Sequence, residues 1–241
     1  MAANADTQNM TENPDNPKPA DTPLAEPKQG KPKLSASGTP SALDAIAHAA
    51  GQAASAPQLG SGIRSPAPVH LWDPPYCGDI GLEIRIDGSW WYRGSIIGRP
   101  AMVGLFASVL RKDADGQTYL VTPVEKIRVQ VADAPFLGID LTAAGCGESQ
   151  TLTLSTNLGD SVAIGSEHPL RFETEAGTGG LKPYVLIRGR LEARLTRAMT
   201  HELMQVALSA AAGAVAPTPA LQSGQPALGV WSGGLFWPVP G

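Results

Sequence analysis

A strict alternation of apolar and polar residues begins shortly after the first tryptophan of the chain. Residues 82 to 86 alternate in this way, Asp87-Gly88 is a typical hairpin turn, and a Trp-Trp-Tyr segment follows it. The pattern predicts a β-hairpin with one buried face. After Arg99-Pro100, apolar residues recur at helical spacing as far as Arg111, and proline is tolerated in a first helical turn. We therefore predict a helix over residues 99–111 that packs on the hairpin.

Short strand-like runs account for most of the remaining chain. TYLVTPV, KIRVQV and PFLGIDL follow the first helix, and TLTLST, SVAIGS, LRFETE, YVLIRG and RLEARL come later. Apolar spacing predicts a helix from Arg197 to Ala212, and GVWSGGLFWPV predicts a final hairpin or extended pair. The order of elements around Tyr119-Leu120-Val121 resembles the order around Tyr184-Val185-Leu186, which indicates a weak internal repeat.

The first part of the chain has a different composition. All 13 aromatic residues lie between Trp72 and Trp237, and residues 1 to 40 contain seven prolines, so this part cannot offset its ordering entropy by burial. We expect residues 1 to 66 to form a disordered Pro-rich arm with one short helix at 41 to 54. An α+β unit would follow at 67 to 133 and a second at 134 to 239, with a loop insertion at 213 to 228.

The charge and the ends of the chain exclude several classes of function. Residues 1 to 66 carry five basic and six acidic side chains, and the rest carry 13 and 16, which gives −1 and −3 in a chain of formal charge −4. This balance disfavours a nucleic-acid or acidic-membrane binder. The amino terminus lacks a signal-peptide pattern, and no apolar run reaches the roughly 18 residues of a membrane span, so we expect a cytoplasmic protein.

The segment from Trp72 to Asp79 is the most unusual peptide in the sequence. Its two consecutive prolines would hold Cys77 and Asp79 on a rigid arm, where the thiol could act as a nucleophile. A nucleophilic cysteine needs a base, however, and the spacing of the histidines identifies none. A buried structural Cys77 is therefore the favoured interpretation. Neither Cys77 nor Cys146 has metal-ligand spacing, and we expect no metal and no cofactor.

Basic residues offer a second candidate site. Arg188, Arg190, Arg194 and Arg197 accompany a predicted strand and the start of the next helix, and could bind a phosphate or carboxylate, although solvated strand faces look the same. His168 with Arg171 could also face an anion, but a turn residue with a local hydrogen bond is the simpler explanation for His168.

Seven peptides together resemble one bacterial family. They are WDPPYCGDI from Trp72, DGSWWYRGSIIGR from Asp87, YLVTPVEK from Tyr119, DAPFL from Asp133, EHPLR from Glu167, PYVLIRGRLEA from Pro183 and VWSGG from Val230. In this order they are similar to the proteobacterial domain-of-unknown-function family 1285, over about residues 69 to 239. The resemblance implies a two-part α+β protein and no established reaction.

These observations favour an α+β fold of two small units, each an antiparallel sheet with one main helix, docked together behind a disordered arm. The leading hypothesis is a non-enzymatic regulatory or signalling protein that binds a small ligand or a protein partner. We expect the binding cleft near Cys77, Asp79, Arg99 and Glu125, closed by His168 or Arg188. The alternatives are a thiol- or carboxylate-dependent hydrolase built on Cys77, Asp79 and His168, and an interaction module in which the arm recruits a partner. The oligomeric state stays open.

Overall fold

The computed structural model describes residues 42–53, 66–213 and 228–240. The expectations for residues 1 to 41, 54 to 65 and 214 to 227, which include most of the disordered arm and the loop insertion, lie outside the described residues. Within them, no helix has the length and apolar character needed to cross a membrane.

The first half of the fold is a six-stranded sheet. Its strands are β1 (Tyr76–Ile84), β2 (Trp90–Tyr92), β3 (Ser95–Ile96), β4 (Leu110–Lys112), β5 (Thr118–Val121) and β6 (Lys126–Val131). They form two antiparallel meanders, β1-β2-β3 and β4-β5-β6, in the spatial order β3-β2-β1-β6-β5-β4. The two meanders meet through β1 and β6, which run parallel, with Tyr76 opposite Lys126 and Ile84 opposite Val131.

The second half repeats the same strand order. Its strands are β7 (Phe136–Ala144), β8 (Thr151–Thr156), β9 (Ser161–Ala163), β10 (Leu170–Thr174), β11 (Leu181–Arg188) and β12 (Leu191–Leu195). The order β10-β11-β12-β7-β8-β9 again places the first and last strands side by side and parallel. The predicted antiparallel pairing thus holds within every meander, and one parallel pair completes each sheet.

Among the described residues, three α-helices and a final hairpin accompany the sheets. They are α1 (Ala42–Ala53), α2 (Pro100–Ser108), α3 (Arg197–Gly213), and the pair β13 (Gly229–Ser232) and β14 (Leu235–Pro238). Helix α1 contacts α2, which packs Phe106 against Trp90 of the first sheet at a ring-centroid distance of 6.2 Å. Helix α3 contacts β7, β11, β12 and β13. Most of the buried apolar side chains of both sheets belong to one continuous core, which confirms the expected α+β units docked together.

The prediction that the first long helix reaches Arg111 is wrong. Helix α2 ends at Ser108, and Leu110 begins β4, where it lies opposite Leu120. Val109 and Leu110 are both buried. Because a buried helix and a buried strand both favour apolar residues, these two positions do not distinguish one from the other. The hydrogen bond from the Val121 backbone N–H to the Val109 carbonyl, 2.9 Å long, begins pairing with β5 at the point where another helical turn would otherwise follow.

The weak repeat in the sequence corresponds to the middle strands of the two later meanders. Tyr119 lies on β5 and Tyr184 on β11, and each hydroxyl donates to an aspartate, Asp115 at 2.7 Å and Asp133 at 2.8 Å. The bond to Asp115 is the main reason that the pKa of Tyr119 rises to about 12. Burial, followed by the bond to Asp133, raises the pKa of Tyr184. The similarity lies in the topology, because Asp115 precedes β5 by three residues whereas Asp133 lies between β6 and β7.

The β1–β2 turn packs directly on the second sheet. Gly88 has a φ of +77°, which favours glycine, and a Cβ added there would lie 2.9 Å from Cδ1 of Leu137 and displace that side chain. Beside it, Arg194 of β12 donates a 2.8 Å hydrogen bond to the Ile86 carbonyl and forms an ion pair with Asp133. The two sheets are therefore joined by specific contacts as well as by their common core.

Ser232 attaches the final hairpin to the second sheet. Its hydroxyl, which is fully buried, donates to the Ile164 carbonyl at 2.7 Å and accepts from the Leu152 backbone N–H at 2.9 Å. One side chain thus satisfies two backbone groups in the interior, where an unpaired polar group is costly.

Candidate functional site

A cavity of about 480 Å³ lies between the two sheets, and we call it the seam cavity. Its walls come from the segment before the first sheet, from β4, and from the turn between β11 and β12. The lining residues are Pro66, Ala67, Pro68, Val69, His70, Leu110, Arg111, Lys112, Arg188, Gly189, Arg190 and Leu191. Its volume is in the range of pockets that hold small molecules.

The charge of this lining differs from that of the whole chain. The chain has 22 acidic and 18 basic residues, yet the seam cavity is lined by four Lys or Arg residues and one histidine, with no Asp or Glu among its described lining residues. The apolar part of the wall comes from Pro66, Ala67, Val69, Leu110 and Leu191. The site therefore combines an apolar wall with a set of cations.

Arg188 is the most constrained of these cations. Its guanidinium forms an ion pair with Asp160, donates a 2.7 Å hydrogen bond to the Ala107 carbonyl at the end of α2, and lies 4.8 Å from the ring centroid of Phe136. Burial lowers the pKa of Arg188, and Asp160 opposes this effect. The same side chain lines a second cavity of about 310 Å³ between α2 and the β8–β9 turn. Arg188 is thus a fixed structural contact between the two halves of the fold.

Arg111 is also held within the structure. Its guanidinium pairs with both carboxylate oxygens of Asp113, at 2.6 and 3.2 Å, and donates to the carbonyls of Val69 and Trp72. Burial by itself would raise the pKa of Asp113, but hydrogen bonds from Arg111 and Lys126 outweigh it and hold the pKa below its usual value. This network fixes the segment that forms the cavity wall before β1.

Lys112 and Arg190 are different, because neither side chain has a hydrogen-bond or ion-pair partner among the described residues. Both also line an open cleft of about 460 Å³ that adjoins the seam cavity, and we call this cleft the vestibule. The acidic residues of the vestibule are already bound, Asp113 by Arg111 and Lys126, and Glu192 by Arg171. Two uncompensated cations therefore lie where the seam cavity meets the vestibule.

The favoured interpretation of Cys77 as a buried core residue is wrong. Cys77 is exposed on β1, and its thiol contacts the Pro75 carbonyl at 3.5 Å. The preceding Pro74 is the buried member of the pair, which leaves the residues that follow on the surface. Asp79 accepts from the Gly81 backbone N–H and from Gln130, and these two bonds lower its pKa. Among the described residues, no hydrogen bond joins Cys77 to a histidine or to Asp79.

Exposure of Cys77 has a direct chemical consequence. In a Cys146→Ser background, we expect iodoacetamide to label Cys77 completely in the native protein, because an exposed thiol needs no unfolding to react. Mass spectrometry after timed labelling, with and without urea, measures this. A thiol that is labelled only after urea is added would contradict the exposed position.

The other predicted site residues lie apart from one another. Glu125 is in the turn before β6, near Pro75, and its backbone N–H donates to the Thr122 hydroxyl. Arg99 precedes α2 and lines a separate cavity of about 210 Å³. The Nδ1 atom of His168 lies 2.9 Å from the carbonyl oxygen of Leu186 on β11, 18 positions along the chain, so its contact is not the local one expected. Arg188 alone of the predicted ligand-binding residues lines the seam cavity.

The predicted arginine patch is divided by the fold. Arg188 and Arg190 line the seam cavity, whereas Arg194 pairs with Asp133 on another surface and Arg197 is exposed at the start of α3. Two lining residues had no signal in the sequence: His70 is isolated, and Lys112 follows directly on the residues assigned to the helix. The pairing of β4 and the position of the β11–β12 turn bring them to the site.

Two family models match the chain. The N-terminal domain of a domain of unknown function, DUF1285, matches residues 67–134, and the DUF1285 C-terminal domain matches residues 135–239. No curated protein matches the chain.

Two solved structures are similar to this protein. A DUF1285 family protein from Silicibacter pomeroyi is 41% identical with a TM-score of 0.63, and the match covers 75% of this chain and 90% of that one. A DUF1285 family protein from Shewanella baltica is 30% identical with a TM-score of 0.41, over 52% of this chain and 91% of that one. The two family models together match more than half of the chain, and the first of these structures belongs to the same family. The chain therefore belongs to the DUF1285 family.

Proposed function

We propose that this protein is a non-enzymatic, cytoplasmic ligand-binding protein with a regulatory role, and that the seam cavity is its binding site. The observation that carries the proposal is the cavity itself, which has apolar walls, four Lys or Arg residues in its lining, and lining residues from both sheets. Pockets of this size and composition are the usual sites of small-molecule binding.

The chemistry of the lining supports binding rather than catalysis. Its described residues include no Ser, Thr, Cys, Asp or Glu, so nucleophiles of these types and a carboxylate base have no place in it. His70 is the only imidazole, and no partner that would orient it is present among the described residues. A group that is to act on substrate needs such an orienting contact.

The position of the cavity supports a regulatory role. A molecule bound there would contact β4 of the first sheet and the β11–β12 turn of the second at the same time. Binding would therefore stabilise the observed packing of the two sheets relative to a state in which they have moved apart at the cavity. Occupancy could in this way change the surface that a protein partner meets.

A thermal-shift screen of small metabolites, paired with a variant that fills the cavity, tests the proposal. A ligand at 100 times its Kd stabilises a protein by about 2.7 kcal/mol, which corresponds to a shift in Tm of roughly 5 to 10 °C for a domain of this size. Val69→Trp places a large side chain in the cavity wall. We expect hits to lose at least tenfold in affinity in this variant.

Leu71→Trp is the matched control, because Leu71 lies in the same short 3-10 helix (Val69–Leu71) but is 72% exposed and outside the cavity lining. Its affinities should equal those of the unmodified protein. The proposal fails if no compound at millimolar concentration raises Tm, or if hits bind Val69→Trp and Leu71→Trp equally well.

A further inference from the structure

We infer that the ligand of the seam cavity is an amphipathic anion, with an apolar body against Val69, Leu110 and Leu191 and a carboxylate or phosphate head between Lys112 and Arg190. This inference rests on the proposed function, because it names the chemistry of the molecule that the same cavity binds. It begins from the observation that the five basic side chains of the lining, four of Lys or Arg and one of His, differ in the contacts that they make.

Two of the cations already have their charge balanced within the fold. Arg111 is paired with Asp113, and Arg188 with Asp160, and both also donate to backbone carbonyls. A ligand that recruited either guanidinium would have to break these contacts and leave a carboxylate unpaired, which is costly away from water. These two side chains therefore shape the cavity and do not bind the head group.

Lys112 and Arg190 remain for the head group. Neither has a partner among the described residues, and the carboxylates near them in the vestibule are bound to other cations. Two unpaired cations that line the same opening favour an anion, and arginine forms bidentate hydrogen bonds with both carboxylates and phosphates. A neutral or cationic head group would leave these charges unbalanced.

The position of the two cations fixes the orientation of the ligand. Lys112 and Arg190 line both the seam cavity and the open vestibule, so they lie at the boundary between the two spaces. Leu110 and Leu191 line the seam cavity and do not line the vestibule. The apolar body would thus lie inside and the charged head would face the open vestibule, where it loses the least hydration.

Binding of four probes with the same eight-carbon chain tests the inference. The probes are octanoate, octyl phosphate, 1-octanol and octylamine, and isothermal titration calorimetry with the full chain measures each of them. We expect octanoate, octyl phosphate or both to bind at least tenfold more tightly than 1-octanol, and octylamine to bind more weakly than all three. Binding of only one anion identifies the head group as a carboxylate or as a phosphate.

Charge-removing variants locate the head group. In the double variant Lys112→Gln, Arg190→Gln, we expect the anions to lose at least tenfold in affinity while 1-octanol binds as before. Arg197→Gln is the control, because Arg197 is also an exposed arginine without a partner among the described residues but lies outside the cavity. Circular dichroism and an unchanged Tm confirm that the variants fold.

The outcomes separate the two proposals. If 1-octanol or octylamine binds as tightly as the anions and loses its affinity in Val69→Trp, the cavity is a binding site but the anion inference is overturned. The same conclusion follows if the double variant binds the anions with unchanged affinity. If no probe binds saturably, or if every probe binds Val69→Trp unchanged, both the inference and the proposed function fail.

Discussion

Replacement of Arg188 by alanine is expected to lower the free energy of unfolding by about 3 kcal/mol. The side chain is about four-fifths shielded from solvent and joins Asp160 of the second sheet to the Ala107 carbonyl of α2. Its removal leaves the Asp160 carboxylate without its cation and the carbonyl without its donor. It also removes the contact with the Phe136 ring. Urea unfolding monitored by tryptophan fluorescence measures the change.

The neighbouring Arg190 provides a matched control for this substitution. It lies on the same turn, is exposed, and has no partner among the described residues, so Arg190→Ala should change the unfolding free energy by less than about 0.5 kcal/mol. Arg188→Lys should restore only part of the stability, because one ammonium cannot reproduce the planar fork that reaches two acceptors. Equal stabilities for Arg188→Ala and Arg190→Ala would show that Arg188 is not a structural contact between the two halves.

Local sequence signals predict the meanders of this fold but not the way in which they join. The Asp87-Gly88 turn and the alternation around it determine β1 and β2, because turn conformation and one-sided burial act on neighbouring residues. The parallel contact between β1 and β6 pairs Tyr76 with Lys126, 50 positions away, and no turn specifies it. Only the burial of both sheets in one core selects this pairing.

The candidate site is likewise not specified by local sequence signals, because it forms only where distant segments meet. Its lining comes from three segments, 66 to 70, 110 to 112 and 188 to 191, and none of them contains a known binding motif. The arginines at 188 and 190 were visible as a cluster, but only the structure distinguishes Arg188, which is paired, from Arg190, which is not. Two prolines shortly before Cys77 indicate a rigid segment, but they do not determine whether the thiol is exposed, because exposure depends on tertiary packing.

Phe136 connects the core to the site, and its replacement by alanine is expected to cost about 4 kcal/mol of unfolding free energy. Phe136 begins β7, is fully buried, and lies opposite Ala193 in the parallel pair at the centre of the second sheet. Alanine would leave a cavity there and remove the ring beside the Arg188 guanidinium. Phe136→Leu keeps most of the volume and should cost less than about 1.5 kcal/mol.

Phe172 is the control for Phe136, because it is also a phenylalanine on the second sheet but is only half-buried, on the edge strand β10. Phe172→Ala leaves a smaller void and should cost less than half as much as Phe136→Ala in the same urea titration. A double-mutant cycle with Arg188→Met and Phe136→Leu isolates the ring–guanidinium contact, for which we expect about 1 kcal/mol of coupling. Equal losses for the two alanine variants, together with no coupling, would mean that the packing beneath Arg188 does not support its position at the seam cavity.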